Sequence, residues 1–133
     1  MSSIINISEA ASIAIHGVIL IAKSDNYINV LQISEKLRSS KHHVAKVMQR
    51  LTKGGYIESL RGPKGGFSFL KKADEVNFLE IYELIEGKIH IKKCPFGKEA
   101  GCPFSKCILD NIAAKMTRDF RDYLESQYIS EYL

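Results

Sequence analysis

Residues 39–55 read SSKHHVAKVMQRLTKGG, and this stretch decides the fold. Val44, Val47, Met48 and Leu51 recur at three- and four-residue steps, which places them on one face of an α-helix. Ser39-Ser40 supplies a break and a cap, because a serine hydroxyl accepts from an orphan N–H of the first turn. Gly54-Gly55 ends the run, since glycine enters positive φ without steric cost. The spacing predicts a helix from about Lys41 to Thr52. Its other face carries Lys41, His42, His43, Lys46, Gln49 and Arg50.

An amphipathic helix with a cationic outer face is suited to the DNA major groove. Ser40, Lys41, His42 and His43 lie at its start, the part that reaches base edges, while Lys46 and Arg50 lie where phosphates would pass. The alternative is a merely solvated face, with His42 and His43 as exposed polar residues. The preceding chain strengthens the DNA reading. Val30 to Leu37 forms a short amphipathic helix with Leu31, Ile33 and Leu37 as its core side. Ser24-Asp25-Asn26 makes a turn before it. Ser8 caps a first helix covering Ala10–Lys23, with Ile13, Ala14, Gly17, Val18 and Ile21 on one stripe.

Two alternating segments follow the third helix, Tyr56–Leu60 and Phe67–Leu70, as expected of short strands. Arg61-Gly62-Pro63-Lys64-Gly65-Gly66 joins them, a turn with two cations. Arg61 and Lys64 at such a tip can enter an adjacent minor groove, whose negative potential favours arginine. Three helices and a cationic hairpin, in that order, make a winged helix-turn-helix over residues 1–72. The fold class is mostly α with a small β-hairpin wing.

Residues 73–133 carry a different pattern. Asn77–Glu86 places Phe78, Ile81, Tyr82 and Ile85 on one side, and Gly87 ends it. A loop from His90 to Lys106 follows. From Cys107 to about Gln127, Ile108, Ile112, Met116, Phe120 and Leu124 recur every four residues, widened by Leu109, Ala113 and Tyr123. A chain of 133 residues has little core on which to hide such a helix, so a two-fold dimer is expected. The alternative is a helix folded back on its own chain.

Composition narrows the function classes. With 45% hydrophobic residues, the chain can build a packed core. No apolar run approaches the roughly 20 residues of a membrane span. The run Ile13–Ala22 is broken by His16 and Gly17 and lacks a basic start, so neither a signal peptide nor a membrane location is expected. A cytoplasmic protein is expected instead. The net charge of +4 is uneven: residues 1–72 hold eleven Lys or Arg against four acidic residues, while residues 73–133 hold eight against eleven. The basic half is suited to a polyanion. No phosphate loop, nucleophile–base spacing or carboxylate pair marks an enzyme.

Cys94, Cys102 and Cys107 fall within fourteen residues, and Cys-Pro-Phe occurs twice, at Cys94-Pro95-Phe96 and Cys102-Pro103-Phe104. An odd number of clustered cysteines does not read as a disulfide framework. Three thiolates on a glycine-bearing loop can converge on one soft metal centre. Lys92, Lys93, Lys98 and Lys106 would favour thiolate and offset an anionic cluster. A zinc site and a redox-switched disulfide stay open.

The segments Gln32–Leu37, Leu51–Ile57 and Arg61–Phe67 resemble the Rrf2 family of transcriptional regulators, and the likeness runs along essentially the whole chain. The Arg-Gly-Pro-x-Gly-Gly-Phe wing is its most specific motif. The resemblance implies a homodimer with crossed long helices, a palindromic double-stranded DNA site and usually repression. It implies DNA contacts at Ser40, His42 and Arg61. It also implies a 2Fe–2S or 4Fe–4S iron–sulfur cluster on the three cysteines. IscR-like members take a histidine three residues after the last cysteine, where this chain has Asp110. NsrR-like members take a carboxylate from the partner's first helix, near Glu9 here. Glu9 ranks first as fourth ligand, Asp110 second and His90 third. An acidic family residue that tunes site choice matches Ala45. The cysteine spacing departs from the common five-and-five pattern. A zinc- or thiol-based interaction protein on a winged-helix scaffold is the alternative function.

Overall fold

In a computed structural model, residues 5–94 and 96–133 are described. Pro95, half of one Cys-Pro-Phe repeat, lies outside them. Among the described residues, five α-helices and a two-stranded hairpin follow in the order α1 (Glu9–Lys23), α2 (Val30–Leu37), α3 (Lys41–Lys53), β1 (Ile57–Leu60), β2 (Gly66–Phe69), α4 (Phe78–Glu86) and α5 (Ile112–Ser126).

Side-chain caps set the helix starts. Ser8 accepts from the N–H of Ala11, and Ser40 from that of His43. Asn29 and Gln32 form a reciprocal capping box on α2, and Asn77 and Glu80 do so on α4. The turn between α2 and α3 is made by Arg38, in the left-handed region at φ 55°, followed by the Ser39-Ser40 break.

The core stripes of α1 and α3 are buried as the periodicity predicts, with Val44, Met48 and Leu51 at 0% exposure. In α2 the stripe is Ile33 with Ser34. Leu31, expected in the core, is exposed, because an eight-residue helix has room for little more than one buried turn. The Ser34 hydroxyl donates to the carbonyl of Leu31. One apolar cluster continues past the hairpin, taking in Val76, Phe78, Ile81, Ile85, Leu124 and Ile129. α4 therefore packs on α1 and α3 as well as on α5.

The strands pair antiparallel, with Ile57 opposite Phe69 and Leu60 opposite Gly66. Each begins one residue away from its predicted start. Ile28, just before α2, adds an isolated bridge to Phe67, with N–H···O distances of 3.2 and 2.8 Å. That bridge explains the wing's glycine. Gly66 sits at φ +145°, and a Cβ there would meet the carbonyl of Ile28 at 2.6 Å.

α5 starts at Ile112, five residues later than the spacing predicts. Residues 107–111 form turns instead, with Asp110 and Asn111 both at positive φ, at 52° and 53°. The four-residue recurrence continues through these turns, but the backbone does not. Leu124 is buried, Met116 and Phe120 are half-buried, and Ile108 and Ile112 are exposed. Phe120 meets the ring of Tyr82 edge-on, with centroids 5.4 Å apart. The C-terminal part of the stripe thus packs on this chain's own α4, and its N-terminal part stands open.

Candidate nucleic-acid interface and cysteine pocket

The exposed edge of α3 carries Lys41, His42, Lys46 and Gln49. Ser40 spends one lone pair capping α3, at 3.1 Å from the N–H of His43, and keeps its own O–H proton to donate outward. His43 is half-buried, with Nδ1 3.6 Å from the carboxylate of Glu9 on α1. Between α3 and the wing lies a groove lined by Ala45, Gln49, Thr52, Lys53, Ser59 and Arg61, among others. Arg61 therefore reaches the same face as the outer stripe of α3. Lys64 is exposed at the wing tip.

Gln49 was expected only as an outward residue of α3. Lys53 and Ser59 carried no functional expectation. Their signal lay in the four-residue series Lys41, Ala45, Gln49 and Lys53, which marks one edge of the helix. Arg50, expected among the phosphate contacts, is exposed and also bonded within the chain. Its Nη2 donates to the carbonyls of Leu84 and Ile85, at 3.1 and 2.8 Å. A guanidinium is drawn there because the last carbonyls of α4 have no partners within their own helix.

Two further bonds tie α4 to its surroundings. The Tyr56 hydroxyl donates to Glu80 at 3.0 Å, and Ser8 donates to Glu86. Burial, with Glu80 beside it, pushes the Tyr56 phenol up to about 12. Burial and the charge of Glu86 also raise Tyr82.

Cys94, Cys102 and Cys107 line one pocket of about 390 Å³, together with Phe96, Lys98, Pro103, Phe104, Ile108, Leu109 and Asn111. None of the three is in a disulfide, and Cys102 and Cys107 are exposed. The three cysteines thus line the same pocket. Yet among the described residues no three His, Cys, Asp or Glu side chains stand close enough to hold an ion. Three thiols in an apolar-walled pocket suit a soft metal or an iron–sulfur group by donor type, and among the described residues the lining holds no His, Asp or Glu as a fourth ligand. None of the fourth-ligand candidates lines the pocket. Glu9 faces His43, and His90 is exposed. Asp110 is held by Lys115 at 2.8 Å, a bond that also lowers its carboxyl below the usual range. Of the four lysines expected to bias the thiols, Lys98 lines the pocket.

Comparison with known proteins agrees with this architecture. The sequence profile of Rrf2, described as an iron-dependent transcriptional regulator, matches residues 7–132. The HTH-type transcriptional regulator NsrR of Bacillus licheniformis is 27% identical over 111 residues, covering 83% of this chain and 78% of that protein. An HTH-type regulator of Aquifex aeolicus is 25% identical over 82% of this chain and 77% of its own length. Among solved structures, CymR, the global cysteine regulator of B. subtilis, superposes with a TM-score of 0.73 at 18% identity, covering 96% of this chain and 95% of that one. T. potens IscR does so with a TM-score of 0.71 at 15% identity, covering 95% and 84%. The structural likenesses establish the winged-helix fold. Among the described residues, no helix is long and apolar enough to cross a membrane.

Proposed function

This chain belongs to the Rrf2 family of transcriptional regulators, and from that premise we propose a cytoplasmic homodimeric repressor whose DNA affinity follows the state of its cysteine pocket. The observation that carries the DNA reading is the shared face of α3 and the wing. Ser40, Lys41 and His42 stand at the exposed start of α3, Lys46 stands farther along, and Arg61 enters the same groove as Gln49. Ser40, Lys41, His42 and His43 are positioned for base edges and nearby phosphates. Lys46 takes a phosphate, and Arg61 and Lys64 follow the wing into the minor groove. Two such heads related by a two-fold axis fit a palindromic site.

Cys94, Cys102 and Cys107 would hold an iron–sulfur cluster, 2Fe–2S or 4Fe–4S, with Glu9 of a second copy as the fourth ligand. Such a centre supplies a charge and ligation state that changes with its oxidation or loss. The chain's own residues carry that change outward: the pocket is lined by the segment that joins α4 to α5, and α4 is bonded to the cap of α1, to Tyr56 before β1 and to α3. The exposed Cys102 and Cys107 thiols support a second reading, a zinc- or thiol-based switch on the same scaffold.

Two measurements test these readings. Binding to a duplex from the protein's own upstream region, titrated against salt, should show a steep slope and a preference over a scrambled duplex. Lys46→Gln should reduce the slope by about two, one for each copy of the dimer. Equal affinity for both duplexes would overturn sequence-specific regulation. After anaerobic purification, matching iron and sulfide support the cluster, whereas stoichiometric zinc, or no metal at all, favours the second reading.

A further inference from the structure

We propose that Arg50 is a positioning residue, which couples the cysteine segment to the DNA-reading helix and does not hold a phosphate. The inference rests on the switch described above and names a residue through which it acts. Arg50 stands one turn after Lys46 on α3, and from sequence the two are equivalent cations. In the structure both are exposed, and they differ in their partners. The Arg50 Nη2 bridges the carbonyls of Leu84 and Ile85.

The place of that bond matters. Leu84 and Ile85 form the last turn of α4, and Gly87 closes the helix at φ +87°. Seven residues beyond Gly87 the chain reaches Cys94. The intervening segment is held to the same helix end, because Ile89 donates its N–H to the Glu83 carboxylate at 2.8 Å. A rearrangement of the cysteine segment therefore pulls first on the end of α4 that Arg50 grips. At the other end of α4, the Tyr56 hydroxyl holds Glu80. Tyr56 lies three residues after α3, so the reading helix and the start of the wing are fastened to α4 at two separated points. On its remaining side α4 meets α5 through Tyr82 and Phe120. A packed helix gripped at both ends moves as a unit, and the coupling it carries is a difference in binding free energy between two states.

A phosphate ligand and a strut differ in two measurements. Each phosphate contact contributes about one to the salt slope, whereas a guanidinium that never meets DNA contributes nothing. Arg50→Met keeps the aliphatic stem and removes every donor. Its binding to a duplex from the upstream region is titrated against salt beside wild type and Lys46→Gln. The same duplex is then titrated with protein as isolated and with protein alkylated at its cysteines by iodoacetamide. The wild-type affinity ratio between these two states is expected to be about fivefold or more. In Arg50→Met the slope should match wild type and the ratio should fall towards one.

A slope lower by about two in Arg50→Met, one for each copy of the dimer, makes Arg50 a phosphate ligand and overturns the proposal. An unchanged slope with an unchanged ratio makes it only a helix cap, which also overturns it. A wild-type ratio of one is read without any variant and defeats the switch itself, so the two failures are told apart. If Arg50→Met does not fold, Arg50→Gln keeps one donor within reach of α4. It should leave the slope intact and give a ratio between those of wild type and one.

Discussion

The winged-helix head and the cysteine segment are built by opposite rules. In the head, α1, α2 and α3 each begin on a side-chain cap, and their core faces are closed, with Val18, Ile33, Val44 and Leu51 at 0% exposure. In the segment from Lys88 to Asn111, Phe96, Phe104 and Ile108 are 69%, 55% and 73% exposed, and Asn111 begins α5 without a side-chain cap. Local chemistry and packing largely agree in the head, and its core is closed together with α4. The cysteine segment has thiols and apolar side chains but no core of its own. Under the proposed function, a bound centre and a second copy complete it. A reading head that keeps its form can be controlled by a segment whose form depends on what it binds.

The largest test of this contrast is a truncation inside the head. Leu51→Ala should cost about 2–5 kcal/mol in urea unfolding, because the fully buried leucine leaves a cavity among α1, α3 and α4. A cost below 1 kcal/mol would mean that the head's core is less closed than it is drawn.

Matched glycine substitutions sharpen the comparison. Gly66→Ala should cost about 1–3 kcal/mol or more, since its Cβ would press on the Ile28 backbone at a φ that side chains rarely adopt. Gly97→Ala also sits at positive φ, at +65°, but its Cβ meets nothing within 4 Å, so about 1 kcal/mol is expected. If thermal melts give equal losses, the two regions are not differently constrained.

Ile108→Asp separates the chain's own stability from assembly. At 73% exposure it should change the stability of a single chain by about 0.5 kcal/mol or less. Light scattering should nevertheless show the dimer shifted towards monomer. A dimer that keeps its midpoint concentration would remove this patch from the interface.

The smallest effect is at alkaline pH. The folded Tyr56 phenol is raised from 10.0 to about 12, so its contribution is full below pH 10 and is lost as pH rises through 12. Tyr56→Phe should flatten that part of the stability curve and remove a late-titrating phenol from the absorbance near 295 nm. An unaltered curve would show that the bond to Glu80 does not hold β1 to α4 in solution.

Much of the head was legible before any coordinates. The stripes of α1, α3 and α4 and the turn chemistry of Arg61–Gly66 are local, and each follows from steps of three, four or two residues. Where the reading failed, the cause was sometimes local backbone and sometimes a partner distant in sequence. Leu31 carries helical spacing, but α2 is too short to bury it. The recurrence from Ile108 to Leu124 crosses a backbone that turns at Asp110 and Asn111. Gln49 and Lys53 entered the candidate site only when the wing was seen to face them. Sequence gives the charge of Arg50 but not its bonds to the end of α4.

By itself, the amino-acid order determined which segments are helical, where the wing turns, where positive charge gathers, and that three thiols share one loop. Those properties depend on neighbours a few residues away. Tertiary structure alone decided that Arg61 meets the outer edge of α3, that the end of α4 holds Arg50, and that the three cysteines line one pocket. The first two join groups on separate elements, and only packing settles which of them come within hydrogen-bond or contact range. The third depends on the path of the loop backbone, which residue spacing does not give.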